Sequence, residues 1–161
     1  MGALIDWMLL PLKRYAEFGG RSSRREFWSF FLLNLAVTMV LLGPLYIRMI
    51  AGLTGSRSGN GAGPPPEPGA LAMGLGLVGG LWALGTLVPI IALSVRRLHD
   101  RGLSGLWYLG FLVAAAVVLR ASVPFAGFIV TAAYLALMSL GGTPGPNRYG
   151  PAAGGARSQT V

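Results

Sequence analysis

Four long apolar runs, separated by short basic stretches, constrain this chain more than any single motif. The runs are Phe27–Ile47, Leu71–Val95, Leu106–Leu119 and Val123–Leu140. The first holds 21 residues and no charge, which at about 1.5 Å per residue reaches about 31 Å and crosses a hydrocarbon core. Of the thirteen Lys and Arg residues, five lie in 1–26, two in 48–70, three in 96–105, one at 120 and two after 140. Taken alternately, that is ten on one side of a membrane against three on the other. Short loops rich in Lys and Arg stay cytoplasmic, so the split predicts four passes with both termini inside.

Composition agrees. Among 161 residues, 53% are hydrophobic, 11% are charged and the mean hydropathy is +0.62, too little polar surface for a soluble domain of this size. The expected fold is an all-α membrane protein with four transmembrane helices, two long and two short. An N-terminal cytoplasmic or interfacial segment (1–26) precedes the membrane domain (27–140), and a cytoplasmic tail (141–161), disordered toward its end, follows it. A formal charge of +8 would suggest nucleic acid in a soluble protein, but here the cations flank apolar blocks, where headgroups and topology explain them. With no Cys and one His, disulfides, thiolate sites and a metal-ligand cluster are not expected. Neither a metal nor a cofactor is predicted.

Residues 1–12 are apolar but too short to span, and lack the charged start and cleavage site of a signal peptide. They read as an interfacial helix or extended anchor with Trp7 at headgroup level. Ser23 followed by Glu26 fits a capping box opening the first span. Arg24 and Arg25 oppose the helix dipole there, so lipid phosphate is their simplest partner. Asn34 and Thr38 are expected to face a neighbouring helix. Residues 51–70, rich in Gly and Pro, read as an outer linker without a folded domain. Gly76 and Gly80 make a G-x-x-x-G pair suited to close helix packing, and Pro89 should kink the second span. Ser122 and Pro124 resemble the start of a fourth helix at the outer surface, although the two short runs could also form a re-entrant hairpin.

The densest polar patch is RRLHDRGLSGLWY, residues 96–108. Its cations close the second helix, Gly102 is the expected left-handed terminator, Ser104 caps the third helix, and Trp107 and Tyr108 join Trp28 in the interfacial aromatic belt. A functional reading pairs Arg96 with Asp100 at i and i+4, sets Arg97 and Arg101 on a second face, and makes His99 beside Asp100 the candidate acid–base pair. The structural reading explains nearly every residue of the patch without catalysis.

Three stretches, PLKRYAEFGGRSSRREFW, SVRRLHDRGLSGLWYL and GTPGPNRYG, in this order, closely resemble bacterial inner-membrane proteins of domain of unknown function family 805. The resemblance covers about residues 8–150. It implies a small multi-pass inner-membrane protein, places it in the bacterial plasma membrane, and supplies no reaction. It marks Gly20, Arg21, Ser23, Arg24, Glu26, Phe27, Trp28, Arg96, Arg97, His99, Asp100, Gly105, Trp107, Tyr108 and Asn147–Gly150 as signature positions.

All three stretches fall on the cytoplasmic side by the charge rule. Arg21, Arg24, Arg25, Glu26, Arg96, Arg97, His99, Asp100, Arg101 and Arg148 are thus expected to share one membrane-flush polar layer. Arg21, Glu26, Arg97 and Asp100 are expected to pair between its two segments. The leading function is a non-catalytic module binding anionic lipid or a membrane partner through that layer. A small transporter or channel formed as a homo-oligomer, and a lipid-headgroup enzyme using His99 and Asp100, are the alternatives.

Overall fold

The computed structural model describes residues 2–57, 69–121 and 125–153, all helix or loop. Five helices run α1 Gly2–Lys13, α2 Arg24–Arg57, α3 Ala70–Asp100, α4 Leu106–Ala121 and α5 Ala126–Ser139. Among the described residues the only β-type pairing is an isolated bridge between Asn147 and Gly150. The chain divides into two compact units, Phe31–Leu87 and the remainder, Met1–Phe30 with Val88–Val161.

Each helix follows from local sequence. The N-terminal segment, expected as an interfacial helix or extended anchor, is helical. In α2 the Ser23 hydroxyl accepts from the Glu26 amide at 3.2 Å, so the serine half of the capping box forms. Glu26 does not complete it: its carboxylate accepts from Ser22 Oγ at 2.7 Å instead. Helix α2 continues through Arg57, seven residues into the stretch expected as linker. Gly and Ser weaken a helix but do not stop one as Pro does, and no Pro occurs between Pro44 and Pro64. Gly102 ends α3 with φ 73°, and Ser104 Oγ accepts from the Leu106 amide at 3.3 Å to open α4. Ser122 and Pro124 lie outside the described residues. The residue preceding α5 is Phe125, left-handed at φ 62° and with no side-chain cap.

Helices α2 and α3 are each long and apolar enough to cross a membrane. Within the Phe31–Leu87 unit their contact is set by glycine. A Cβ at Gly76 would stand 2.7 Å from Leu45 Cδ1, and one at Gly79 would stand 2.5 Å from Leu42 Cδ2 and 3.3 Å from Leu41 Cβ, whereas Gly80 has nothing within 4 Å. The close approach therefore uses Gly76 and Gly79, an i, i+3 pair, in place of the expected Gly76 and Gly80. The difference is one of helical phase: position 80 lies about 100° beyond 79.

The other unit inverts the pattern of a soluble domain. Its buried residues include Arg21, Ser22, Glu26, Ser29, Ser94, Arg96, Arg97 and Asp100, while Leu106, Trp107, Leu109, Val117, Phe128 and Ile129 are exposed. A polar interior under an apolar exterior is costly in water and ordinary in lipid. Three helix ends meet at that interior, the start of α2 and the ends of α3 and α5. Ser22, just before α2, donates its amide to Arg96 O at 3.3 Å. Arg97 of α3 reaches the Met138 and Leu140 carbonyls at the end of α5, each at 2.8 Å. The α3–α4 turn follows directly. Helix α4 packs against α5.

Candidate functional site

The polar interior is built around two carboxylates, Asp100 and Glu26. Asp100, the last residue of α3, accepts from Arg21 Nε at 2.8 Å and from Arg97 Nη1 at 2.7 Å. Glu26, in the first turn of α2, lies 3.2 Å from Arg96 and 4.0 Å from Arg14. Exposure is 8% for Arg21, 2% for Glu26, 0% for Arg96, 1% for Arg97 and 5% for Asp100. Ions this deep persist only when paired and hydrogen-bonded. Arg21 meets that demand by also donating to the Thr143 and Gly145 carbonyls at 2.7 and 2.6 Å. Arg97 adds the Ser22 carbonyl at 3.1 Å.

Arg96 is held differently. It sits within ion-pair distance of Glu26, yet none of its guanidinium nitrogens, nor Glu26 Oε1, makes a hydrogen bond. Attraction without aligned donors is the weaker form of a buried pair. Toward solvent the chain of charges continues through Arg14, which hydrogen-bonds Glu17 at 2.6 Å and thereby holds the Glu17 carboxyl below the usual range.

Two expected pairings are thus redistributed. Asp100 takes Arg97, at i−3, and not Arg96, at i−4; Arg96 turns to Glu26 on α2. Of the four residues expected to pair between the two segments, Arg21 and Asp100 do so directly. Glu26 does so through Arg96, and Arg97 pairs within its own segment while donating to Ser22 O.

Residues 141–150, expected as cytoplasmic tail with Arg148 in the polar layer, form a strap docked on this cluster. Thr143 donates its amide to Asp100 O at 2.8 Å, and Asn147 Nδ2 donates to His99 O at 3.0 Å. The Tyr149 ring stacks on His99, with centroids 3.8 Å apart and planes 5° apart, and Arg148 lies 4.7 Å over Tyr149. Arg148 also donates to Gly102 O at 3.0 Å. His99 Nδ1 faces Gly20 O at 3.2 Å. His99 and Asp100 are therefore adjacent in sequence but committed to different partners, and each oxygen of the Asp100 carboxylate accepts from an arginine.

The remaining cations divide from these by exposure. Arg24, Arg25 and Arg148 are exposed and Arg101 is half-buried. Among the aromatics, Trp107 is exposed, while Trp28 and Tyr108 are half-buried. Ser22, Arg14, Glu17, Gly142 and Thr143 join the cluster without having been singled out by sequence. Ser22 could have been noticed as a small polar residue placed at i−4 from Glu26, and Arg14 and Glu17 as opposite charges at i and i+3, while Gly142 and Thr143 carry no local signal. Among the described residues no group of His, Asp and Glu could hold a metal ion.

The family model described as "Protein of unknown function (DUF805)" matches residues 15–151. Inner membrane protein YhaI of Escherichia coli K12 is 35% identical over 146 residues, covering 91% of this chain and 93% of that protein. Inner membrane protein YhaH of the same strain is 32% identical over 147 residues, covering 91% and 95%. No solved structure matches the chain. The matched stretch contains Arg21, Glu26, Arg96, Arg97, Asp100 and the docked strap, so the polar cluster lies within the family's own domain, and the chain belongs to the DUF805 family.

Proposed function

We propose that this protein is a non-catalytic module of the bacterial inner membrane that recognises anionic lipid headgroups at its cytoplasmic face. It crosses four times, with both termini inside. The observation carrying this reading is the division of labour among its arginines. Arg21, Arg96 and Arg97 are buried and matched to carboxylates and carbonyls, leaving Arg24, Arg25 and Arg148 exposed around them. Arg24 and Arg25 begin a helix whose dipole they oppose, a position that an anion beside them stabilises. The ten-to-three charge split, the names of the relatives and the convergence of three helix ends on one polar cluster support the same placement.

The four tryptophans allow a direct measurement. In nanodiscs containing brominated phosphatidylglycerol or brominated phosphatidylcholine, Trp quenching reports which lipid is enriched at the protein. The expected result is enrichment of phosphatidylglycerol, falling about fivefold per charge when Arg24, Arg25 and Arg148 are replaced by Gln, from about 1 kcal/mol per cation. Equal quenching by both lipids in the unaltered protein refutes the reading.

A further inference from the structure

Helices α4 and α5 pack together yet leave a cleft of about 170 Å³ between Tyr108, Phe111 and Ala115 on one side and Val130, Thr131 and Tyr134 on the other. One wall centres on Tyr134. Tyr134 shares a 2.7 Å hydrogen bond with Ser94 and meets Phe27, Tyr108 and Phe111 edge-on at 6.3, 6.2 and 5.7 Å. Thr131 turns its hydroxyl back to Gly127 O at 2.9 Å, so it adds little polarity to the cleft. A rigid apolar gap in hydrocarbon forfeits dispersion contacts unless something fills it.

Charge identifies the occupant. Tyr108 lies in the first turn of α4, so one end of the cleft is level with the α3–α4 turn that carries Arg101. Phe27 touches Tyr134, and exposed Arg24 precedes Phe27 by about one helical turn. Arg97, four residues before Arg101, holds the last carbonyls of α5 with its guanidinium. Arg101 Nη1 is buried without a hydrogen-bond partner, a donor in need of an acceptor. An apolar slot with unneutralised cations at one mouth matches an anionic phospholipid.

We infer that one anionic phospholipid binds each chain here, an acyl chain between α4 and α5 and its phosphate at Arg24 and Arg101. The inference rests on the headgroup recognition proposed above and assigns it one position. Its test is native mass spectrometry of protein released from phosphatidylglycerol nanodiscs, together with crosslinking of phosphatidylglycerol bearing a diazirine on its acyl chain. The expected result is one retained lipid per chain and crosslinks within residues 108–134. Retention falls about fivefold or more in Arg101→Gln and in Ala115→Trp, which fills the slot. Crosslinking of the unaltered protein needs no variant to fold, and labels confined to α2 and α3 overturn the site. If Trp quenching still shows phosphatidylglycerol enrichment while no lipid is retained, this site falls and headgroup recognition stands. Absence of both removes both.

Discussion

At the scale of single residues, Asp100 carries the most. Its single carboxylate is shared by Arg21 and Arg97, and its carbonyl accepts from Thr143 of the strap. Asp100→Asn would leave two buried guanidinium groups without a counter-charge, a loss of about 3–5 kcal/mol, or a fall of about 10 °C in midpoint for a chain of this size. Replacing Arg21 by Gln as well should recover part of that loss, because the pair is coupled. A thermal unfolding series in detergent checks both, and an unshifted Asp100→Asn midpoint would refute the role. Gly142→Ala belongs to the same argument. Its Cβ would collide with the Asp100 carboxylate, which two arginines hold in place, so a loss of about 1–3 kcal/mol is expected. His99→Gln, by contrast, can keep a donor for Gly20 O and forfeits mainly the Tyr149 stack, worth about 1 kcal/mol. The adjacent His99 and Asp100 should therefore differ severalfold in cost.

At the scale of elements, glycine phase decides what α3 tolerates. Gly79→Ala places a methyl against Leu42 and against Leu41 Cβ, near the α2 backbone, whereas Gly76→Ala meets mainly the flexible end of Leu45 and Gly80→Ala meets nothing. The expected order of destabilisation is Gly79, then Gly76. Gly80→Ala should be neutral or stabilise by up to about 1 kcal/mol through helix propensity. Unfolding midpoints of the three variants test the order, and a Gly80 cost equal to that of Gly79 would refute the assigned contact face. The same elements show how far sequence reaches. Apolar runs and punctuation located α2 to α5, and Ser23, Gly102 and Ser104 marked boundaries among them, since those signals are local. Which Gly faces α2, or which Arg meets Glu26, depends on helix rotation and on chain separated by dozens of residues. Sequence placed Arg148 of the strap in the polar layer but not the contacts of Thr143, Gly145 and Asn147, for the same reason. Its order comes from Arg21, Asp100 and His99, and composition alone cannot show that.

At the scale of the whole molecule, length becomes the governing quantity. Helices α2 and α3 contain 34 and 31 residues, about 51 and 46 Å at about 1.5 Å per residue, longer than a hydrocarbon core of about 30 Å. Helices α4 and α5, at 16 and 14 residues, reach about 24 and 21 Å. Four passes then require the bilayer to thin around the short pair, with Arg120 at the far end of α4 extending to the opposite headgroups. A re-entrant hairpin would instead leave that end in hydrocarbon, where an arginine is expensive. The chain contains no cysteine, so each introduced thiol reports alone. In intact cells, an impermeant maleimide is expected to label Asn60→Cys and Ala121→Cys but to reach Ser158→Cys only after permeabilisation. Labelling at 60 with protection at 121 would establish the hairpin and remove two of the four passes while leaving the termini inside. Labelling at 158 in intact cells would reverse the assigned orientation, and with it the cytoplasmic placement of Arg24, Arg25 and Arg148.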